Sequence, residues 1–286
     1  MKKSTLLHLR IPFSFFLLPV FLFAVAVVQP ESHWVLLLPF FVLHFLVYPA
    51  SNGYNSYFDK DEESIGGLKR PPKVSVELYW VALILDSIAL GLSFYISWEF
   101  ALAIFIYGGV SKAYSHPSVR LKKYPIYGWL AAGVFQGYFT FMMCCLGFGL
   151  SLEELLHSTY QWPAFLSSLL LFGSYPMTQI YQHKEDTERG DRTLSVKLGI
   201  LGTFHFTALF FTVATGGFLL YFIAYQSIVH LYLFLAVLGP VLIYFLRWYL
   251  EVRKDMKYAD YERTMRLNGI SALSFNIFFG AWWLFI

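Results

Sequence analysis

Asn55-Ser56-Tyr57-Phe58-Asp59-Lys60-Asp61-Glu62-Glu63 follows directly on the apolar run 34–54 and leads into the basic Lys69-Arg70-Pro71-Pro72. A helix that crosses a bilayer needs roughly 20 apolar residues, so charge gathered at the end of such a run marks where the chain leaves hydrocarbon. If the helix continues through the acidic stretch, Asn55, Asp59 and Glu63 recur every four residues, about 6 Å apart along the axis and on one face. Two carboxylates and an amide oxygen suit a hard divalent cation, and Mg²⁺ in particular is held by one or two carboxylates together with substrate phosphates. The stretch reads as a metal and diphosphate site at a membrane surface. On the same helical reading Asp61 and Glu62 point away from Asp59 and are solvated.

The rest of the chain fits that surface. Of its 286 residues 57% are hydrophobic, 20% aromatic and only 14% charged, outside the range of a soluble domain. Apolar runs fall at 11–29, 34–54, 78–98, 99–115, 128–150, 162–182, 202–224, 229–249 and 268–286. The expected fold is an all-α polytopic membrane protein, a single domain over 1–286 with about nine transmembrane helices in a bundle. Only Trp98 and Glu99 separate the third run from the fourth. Lys2, Lys3 and Arg10 before the first run, with Ala24-Val25-Ala26 near its end, also resemble a signal peptide; a first transmembrane helix is the preferred reading. Cys144 and Cys145 are adjacent and apolar in context, so they read as packing residues. No Cys/His spacing calls for zinc or an iron–sulfur cluster, and a nucleic-acid partner is not expected.

Charge sets the expected orientation. All 21 Lys and Arg residues lie in the N-terminal tail or in four alternate connections: Lys60, Lys69, Arg70 and Lys73; Lys112, Arg120, Lys122 and Lys123; Lys184, Arg189, Arg192 and Lys197; and Arg247 through Arg266. The positive-inside rule makes these cytoplasmic. The N-terminus and the acidic stretch are then inside and the C-terminus on the opposite side.

Four further features follow from this layout. Gly66-Gly67 and Pro71-Pro72 break the helix after the acidic stretch and leave room for a cytoplasmic cap. Asp86 lies inside the third run, where a lone carboxylate is costly. The loop from Lys112 to Pro125 is cationic and aromatic, and Lys112 with Arg120, Lys122 or Lys123 could take up charge on a diphosphate leaving group. A second acidic patch, Gln182 to Arg192, stands four spans after the first, with Gln182 and Asp186 four residues apart. Two four-helix repeats, about 11–125 and 128–249, plus a final helix at 268–286 would place a site between the halves. The connection from Arg247 to Arg266 reads as a solvated surface segment.

At the two patches the sequence resembles the UbiA superfamily of intramembrane prenyltransferases. Asn55, Asp59 and Glu63 match its first acidic motif, with Arg70-Pro71 in place of its Arg-Pro. Tyr114-Ser-His-Pro-Ser-Val-Arg120-Leu-Lys-Lys is similar to its Tyr-Ser-x-Pro-Pro stretch and basic cluster, and Gln182, Asp186, Gly190 and Thr193 match the second motif. Ser56, Glu63 and Gln182 stand where the family has aspartate. The resemblance implies Mg²⁺-dependent transfer of a polyprenyl group from its diphosphate to an acceptor within the membrane. It implies one ion on Asn55, Asp59 and Glu63 and a second on Gln182 and Asp186, bridged by diphosphate. Arg70, Lys112, Tyr114, Arg120, Lys122, Lys184 and Arg192 are the implied diphosphate ligands, and Asp59, Asp186, Arg70 and Lys112 the catalytic set. The implied partners are a prenyl diphosphate, an unidentified aromatic or lipid-precursor acceptor and the lipid bilayer; the expected location is a bacterial inner membrane. Tyr54, Tyr57, Tyr107, Tyr138, Tyr175 and Tyr181 lie nearest the motifs and could shelter an allylic cation.

Three rivals remain at this level. A terpene-cyclising or inactive relative is compatible with Gln182. A transporter could use the acidic patches as an ion site, though both lie at span ends rather than at mid-membrane. A CDP-alcohol phosphotransferase would need an Asp-x-x-Asp-Gly-x-x-Ala-Arg signature that the sequence lacks.

Overall fold

The computed structural model describes residues 1–285, which form helices joined by short connections. In chain order these are α1 (Lys3–Leu9), α2 (Leu18–Val28), α3 (His33–Asp59), α4 (Glu77–Ser93), α5 (Trp98–Ser115), α6 (Pro125–Gly147), α7 (Ser158–Met177), α8 (His183–Arg189), α9 (Leu194–Tyr225), α10 (Ile228–Lys254) and α11 (Tyr261–Phe285). Each apolar run read from the sequence falls on helix; Ile286, at the end of the last run, lies outside the described residues. Four helices, α3, α6, α9 and α10, are long and apolar enough to cross a membrane, or five if α1 and α2 with the turn between them count as one span bent by 43°. The others are shorter, as α4 is at 17 residues, or more polar, as α11 is with Glu262, Arg263 and Arg266.

Local chemistry sets the boundaries. Ser97 caps α5 by accepting the Phe100 N–H at 3.0 Å, which fixes the break beside Trp98 and Glu99. Ser227 and His230 form a reciprocal cap on α10. Gly199, at φ 70°, kinks α9 after its first turn. Two helices contain a widened π segment, Val42–Val47 in α3 and Val134–Phe139 in α6. Such a bulge leaves backbone groups without helical partners. In α6 the Ser168 hydroxyl supplies them, accepting the Tyr138 N–H and donating to the Gly133 carbonyl, both at 2.8 Å. That contact needs α6 and α7 nearly touching: a Cβ on Gly137 would stand 2.5 Å from the Ser168 Cα.

Packing runs round a ring. α3 packs on α4 and α5, α5 on α6, α6 on α7, α7 on α9, α9 on α10, α10 on α11, and α11 returns to α2. The seam between the first and last helices is aromatic, with Phe23 stacked on Phe279 at 4.4 Å and next to Trp282. Large apolar side chains also face outward on α9 and α10, among them Leu220, Ile223, Ile243 and Leu246; hydrocarbon outside the ring is their natural solvent. At one end the termini of α3, α5 and α7 converge with α8 and the segment 60–72, and there a cavity opens.

Candidate active site

The first acidic stretch does not continue as helix. α3 ends at Asp59, because Lys60 adopts the left-handed conformation (φ 52°) and returns its N–H to the Ser56 carbonyl at 3.0 Å. Asn55 and Asp59 therefore keep their shared face and both line the cavity. Glu63 lies beyond the turn, more than half exposed, and pairs with Lys184 at 3.3 Å. The chain reversal swings Asp61 inward, to 9% exposure and into the cavity wall. Glu63 is thus placed outside the cavity lining and Asp61, expected in solvent, is instead buried, for one reason: the helix ends four residues sooner than the spacing argument needed.

Beyond Asp61 the segment 60–72 straps the cavity mouth. Ile65 and Leu68 exchange two backbone hydrogen bonds, at 2.9 and 2.8 Å, across a turn whose Gly67 sits at φ 85°. Arg10 donates to the Gly66 carbonyl at 3.1 Å and to the Asn52 carbonyl at 3.3 Å. Gln182 donates to the Ser64 carbonyl at 3.3 Å, and the Glu62 N–H donates to Glu185 at 2.9 Å. Lys69 pairs with Glu262 on α11. The cap expected from Gly66-Gly67 is therefore a polar-bonded strap over the site.

The second patch arrives from the opposite wall. After α7 a single turn, Ile180–Gln182, delivers Gln182 to the start of α8, and Asp186 follows one turn on. Both face the cavity that Asn55 and Asp59 line. Gly190, left-handed at φ 82°, ends α8 and folds Asp191 back so that its N–H reaches the Asp186 carbonyl at 2.8 Å.

Between the two patches lies an ionic network. The Asp59 carboxylate, 3% exposed, bonds Lys122, takes Arg120 at 3.3 Å and has Arg189 at 3.7 Å. Asp191 receives two Arg120 N–H groups at 2.8 Å each, a bidentate pair of the strong kind, and this contact raises the Arg120 pKa. Arg189 also bonds Asp61. Asn55 Oδ1 accepts from Ser115 at 2.7 Å and from Lys122 at 3.3 Å. Asp186 is the exception: it is buried at 8% exposure and makes no ion pair among the described residues. Burial pushes its carboxyl up to about 7, with Asp191 and Asp61 adding to the effect and Lys122 and Arg189 opposing it. Burial also raises Asp61, with Asp59 adding to it.

No three His, Cys, Asp or Glu side chains cluster tightly enough among the described residues to cage a metal by themselves. The donors that do face the cavity fit Mg²⁺ in its usual setting, where substrate phosphates and water complete the shell. Asp59, Asp186 and the Asn55 and Gln182 amides are available in part, and Gln179 Oε1 is a buried acceptor with no hydrogen-bond partner. Gln179 is itself held by its Nε2, which donates to Tyr175 at 3.1 Å, and Tyr175 bonds Tyr114.

The cavity holds about 270 Å³ and changes character with depth. Charged and amide groups form its mouth; further along α5, α6 and α7 it is lined by Tyr107, Val110, Ala132, Phe135 and Leu171, with Ser111, Gln136 and Ser174 among them. Of the cations expected there, Lys122 lines it and Arg120 reaches it through Asp59. Arg70 is exposed on the strap and lines no part of the cavity, and Lys184 is held outside by Glu63. Lys112 is turned to the far face of α5, paired with Asp86 and lying 5.3 Å over the Tyr54 ring; this accounts for the carboxylate inside the third run. Arg192 faces a separate hollow. Arg10, Asp61, Gln179, Arg189 and Asp191 join the site without having been expected. The left-handed potential of Gly190 was the available signal for Asp191; for Arg10, set in a left-handed backbone (φ 47°) before α2, the sequence carried none.

Comparison with known proteins agrees with this architecture. The family model described as UbiA prenyltransferase family matches residues 16–270. A UbiA homolog from Archaeoglobus fulgidus, solved bound to GPP and Mg²⁺, superposes with a TM-score of 0.69 at 17% identity, covering 98% of this chain and 99% of that one. Its form bound to DMAPP and Mg²⁺ gives 0.69 at 18%, covering 99% and 100%. A structure of digeranylgeranylglyceryl phosphate synthase gives 0.62 at 19%, covering 99% and 97%. At these identities the structural likeness is one of fold. No curated protein sequence matches the chain significantly.

Proposed function

The chain belongs to the UbiA prenyltransferase family, and from that membership we propose that it transfers a polyprenyl group from a prenyl diphosphate to an acceptor within the membrane, using Mg²⁺. The observation that carries the reading is the meeting of Asn55 and Asp59 with Gln182 and Asp186 at the polar mouth of one cavity that is largely apolar and aromatic beyond it. A diphosphate with a long hydrocarbon tail has the same polarity profile.

Asp59 and Asp186, with the Asn55, Gln179 and Gln182 amides, are the residues that would hold Mg²⁺. Mg²⁺ held there would supply neutralising charge to the diphosphate leaving group. Arg10 is suited to the same anion, since it lines the cavity, carries no carboxylate partner among the described residues and leaves its buried Nε without an acceptor. Lys122, Arg120 and Arg189 stand on Asp59 and are the further cations of the site. Beneath them the rings of Tyr107, Tyr114, Phe135 and Tyr175 exclude water and offer π faces to an electron-poor allylic carbon. Glu63, Arg70, Lys112 and Lys184 have no part in this scheme.

The same reading takes in nine spans built as two four-helix repeats and a final helix. It puts the N-terminus and the site on the cytoplasmic side of a bacterial inner membrane and the C-terminus opposite, as the distribution of Lys and Arg supports. The test is release of diphosphate from geranylgeranyl diphosphate by purified protein. Release should require Mg²⁺ and stop with EDTA; release unaffected by EDTA, or absent for every prenyl diphosphate tried with membrane extract as acceptor source, overturns the proposal.

A further inference from the structure

A second hollow, separate from the active-site cavity, opens between the start of α6 and the α8–α9 connection. Asp191 lines it, with its carboxylate taken by Arg120, which also reaches Asp59. The Arg192 N–H donates to the Lys123 carbonyl at 3.1 Å and ties these two segments together. Lys123, Arg192 and Lys197 line the hollow, all three exposed and none in an ion pair with a described residue. The acid in the wall does not offset them, because its two oxygens are already occupied by Arg120. Arg120, Lys122 and Arg189 of the neighbouring site are matched by Asp191, Asp59 and Asp61; these three are not.

The surroundings indicate what would match them. Tyr124 borders the hollow at 49% exposure, and the next residues on α6, Ile126 and Tyr127, are 47% and 64% exposed. Exposed tyrosines are characteristic of the zone between headgroups and hydrocarbon. Unpaired cations, an amphipathic ring and an outward apolar face thus follow one another over the first turn of α6, which is the order of phosphate, glycerol and acyl chain in a phospholipid. We propose that Lys123, Arg192 and Lys197 hold the headgroup phosphate of an anionic phospholipid, at a site distinct from the diphosphate site, with which their hollow shares no lining residue. Arg192 then serves lipid binding and not the prenyl diphosphate.

The experiment counts phosphatidylglycerol retained by the full-length protein in native mass spectrometry, after exchange from nanodiscs of phosphatidylglycerol and phosphatidylcholine. Each juxtamembrane cation strengthens binding to anionic lipid by about fivefold. The combined Lys123→Ala, Arg192→Ala and Lys197→Ala variant should therefore retain at least about tenfold less phosphatidylglycerol. Removing the same charge elsewhere, by Arg247→Ala, Arg253→Ala and Lys254→Ala, should leave the tightly held lipid in place. Lys123→Arg with Lys197→Arg should retain it too, which separates lost charge from lost folding; the single Lys197→Gln variant reads the same effect with least disturbance. Equal retention by the triple variant, or equal loss in the control, overturns the proposal. So does protection of the wild type by inorganic phosphate with no preference for phosphatidylglycerol, since the hollow would then be a site for free phosphate.

Discussion

At the residue scale, a spacing of four held where the helix held and failed where it stopped. Asn55 with Asp59, and Gln182 with Asp186, were legible because each pair needs a single helical turn, and the structure turns both pairs to one cavity. Glu63 needed a second turn, and the left-handed Lys60 removes it. Asp61 was assigned to solvent by the same assumption and is instead buried. Arg10 could not be read in advance, since its environment is made by the strap segment folding back onto it across more than fifty positions. Its guanidinium, bonded to two backbone carbonyls but to no carboxylate among the described residues, leads to a prediction. Arg10→Ala should raise KM for the prenyl diphosphate or lower turnover by about tenfold or more, with partial recovery in Arg10→Lys, as expected when a charge-assisted contact is lost. Steady-state kinetics showing wild-type parameters for Arg10→Ala would remove it from the site.

At the scale of elements, helix positions followed from apolar run length, but the details that align the site came from backbone irregularities that hydropathy does not register. The π segment of α6 and the kink of α9 at Gly199 are of this kind. Ser168 is the link between bulge and neighbour, accepting from Tyr138 and donating to Gly133. Ser168→Ala would leave two backbone groups unpaired in an apolar interior, a cost of about 1–3 kcal/mol each in the folded state. Gly137→Ala would force α6 off α7, because the added Cβ meets the backbone of Ser168 at 2.5 Å. Both variants should melt below the wild type in detergent, with Gly137→Ala the more severe. Unchanged melting in both would mean that α6 and α7 are not held together through this contact.

At the scale of the molecule, composition and charge made the membrane class and the helical bundle legible, and two helix-end acidic patches made the family legible. The ring closure of α11 on α2 and the convergence of the strap, α8 and the Lys112–Pro125 loop at one end belong to tertiary packing. They decide which charges meet. Four cations expected at the diphosphate, Arg70, Lys112, Lys184 and Arg192, are spent elsewhere or exposed, whereas Arg10 and Arg189 arrive from distant segments. The central claim is that Asp59 and Asp186, one from each patch, act together while Glu63 stands outside. The most direct measurement is Mg²⁺-dependent release of diphosphate by Asp59→Asn, Asp186→Asn and Glu63→Gln in parallel. The account predicts losses of about 10²–10³ for the first two, the scale for removing one group that stabilises transition-state charge, and near-wild-type release for Glu63→Gln. Activity retained in either aspartate variant, or lost as fully in Glu63→Gln, would contradict it.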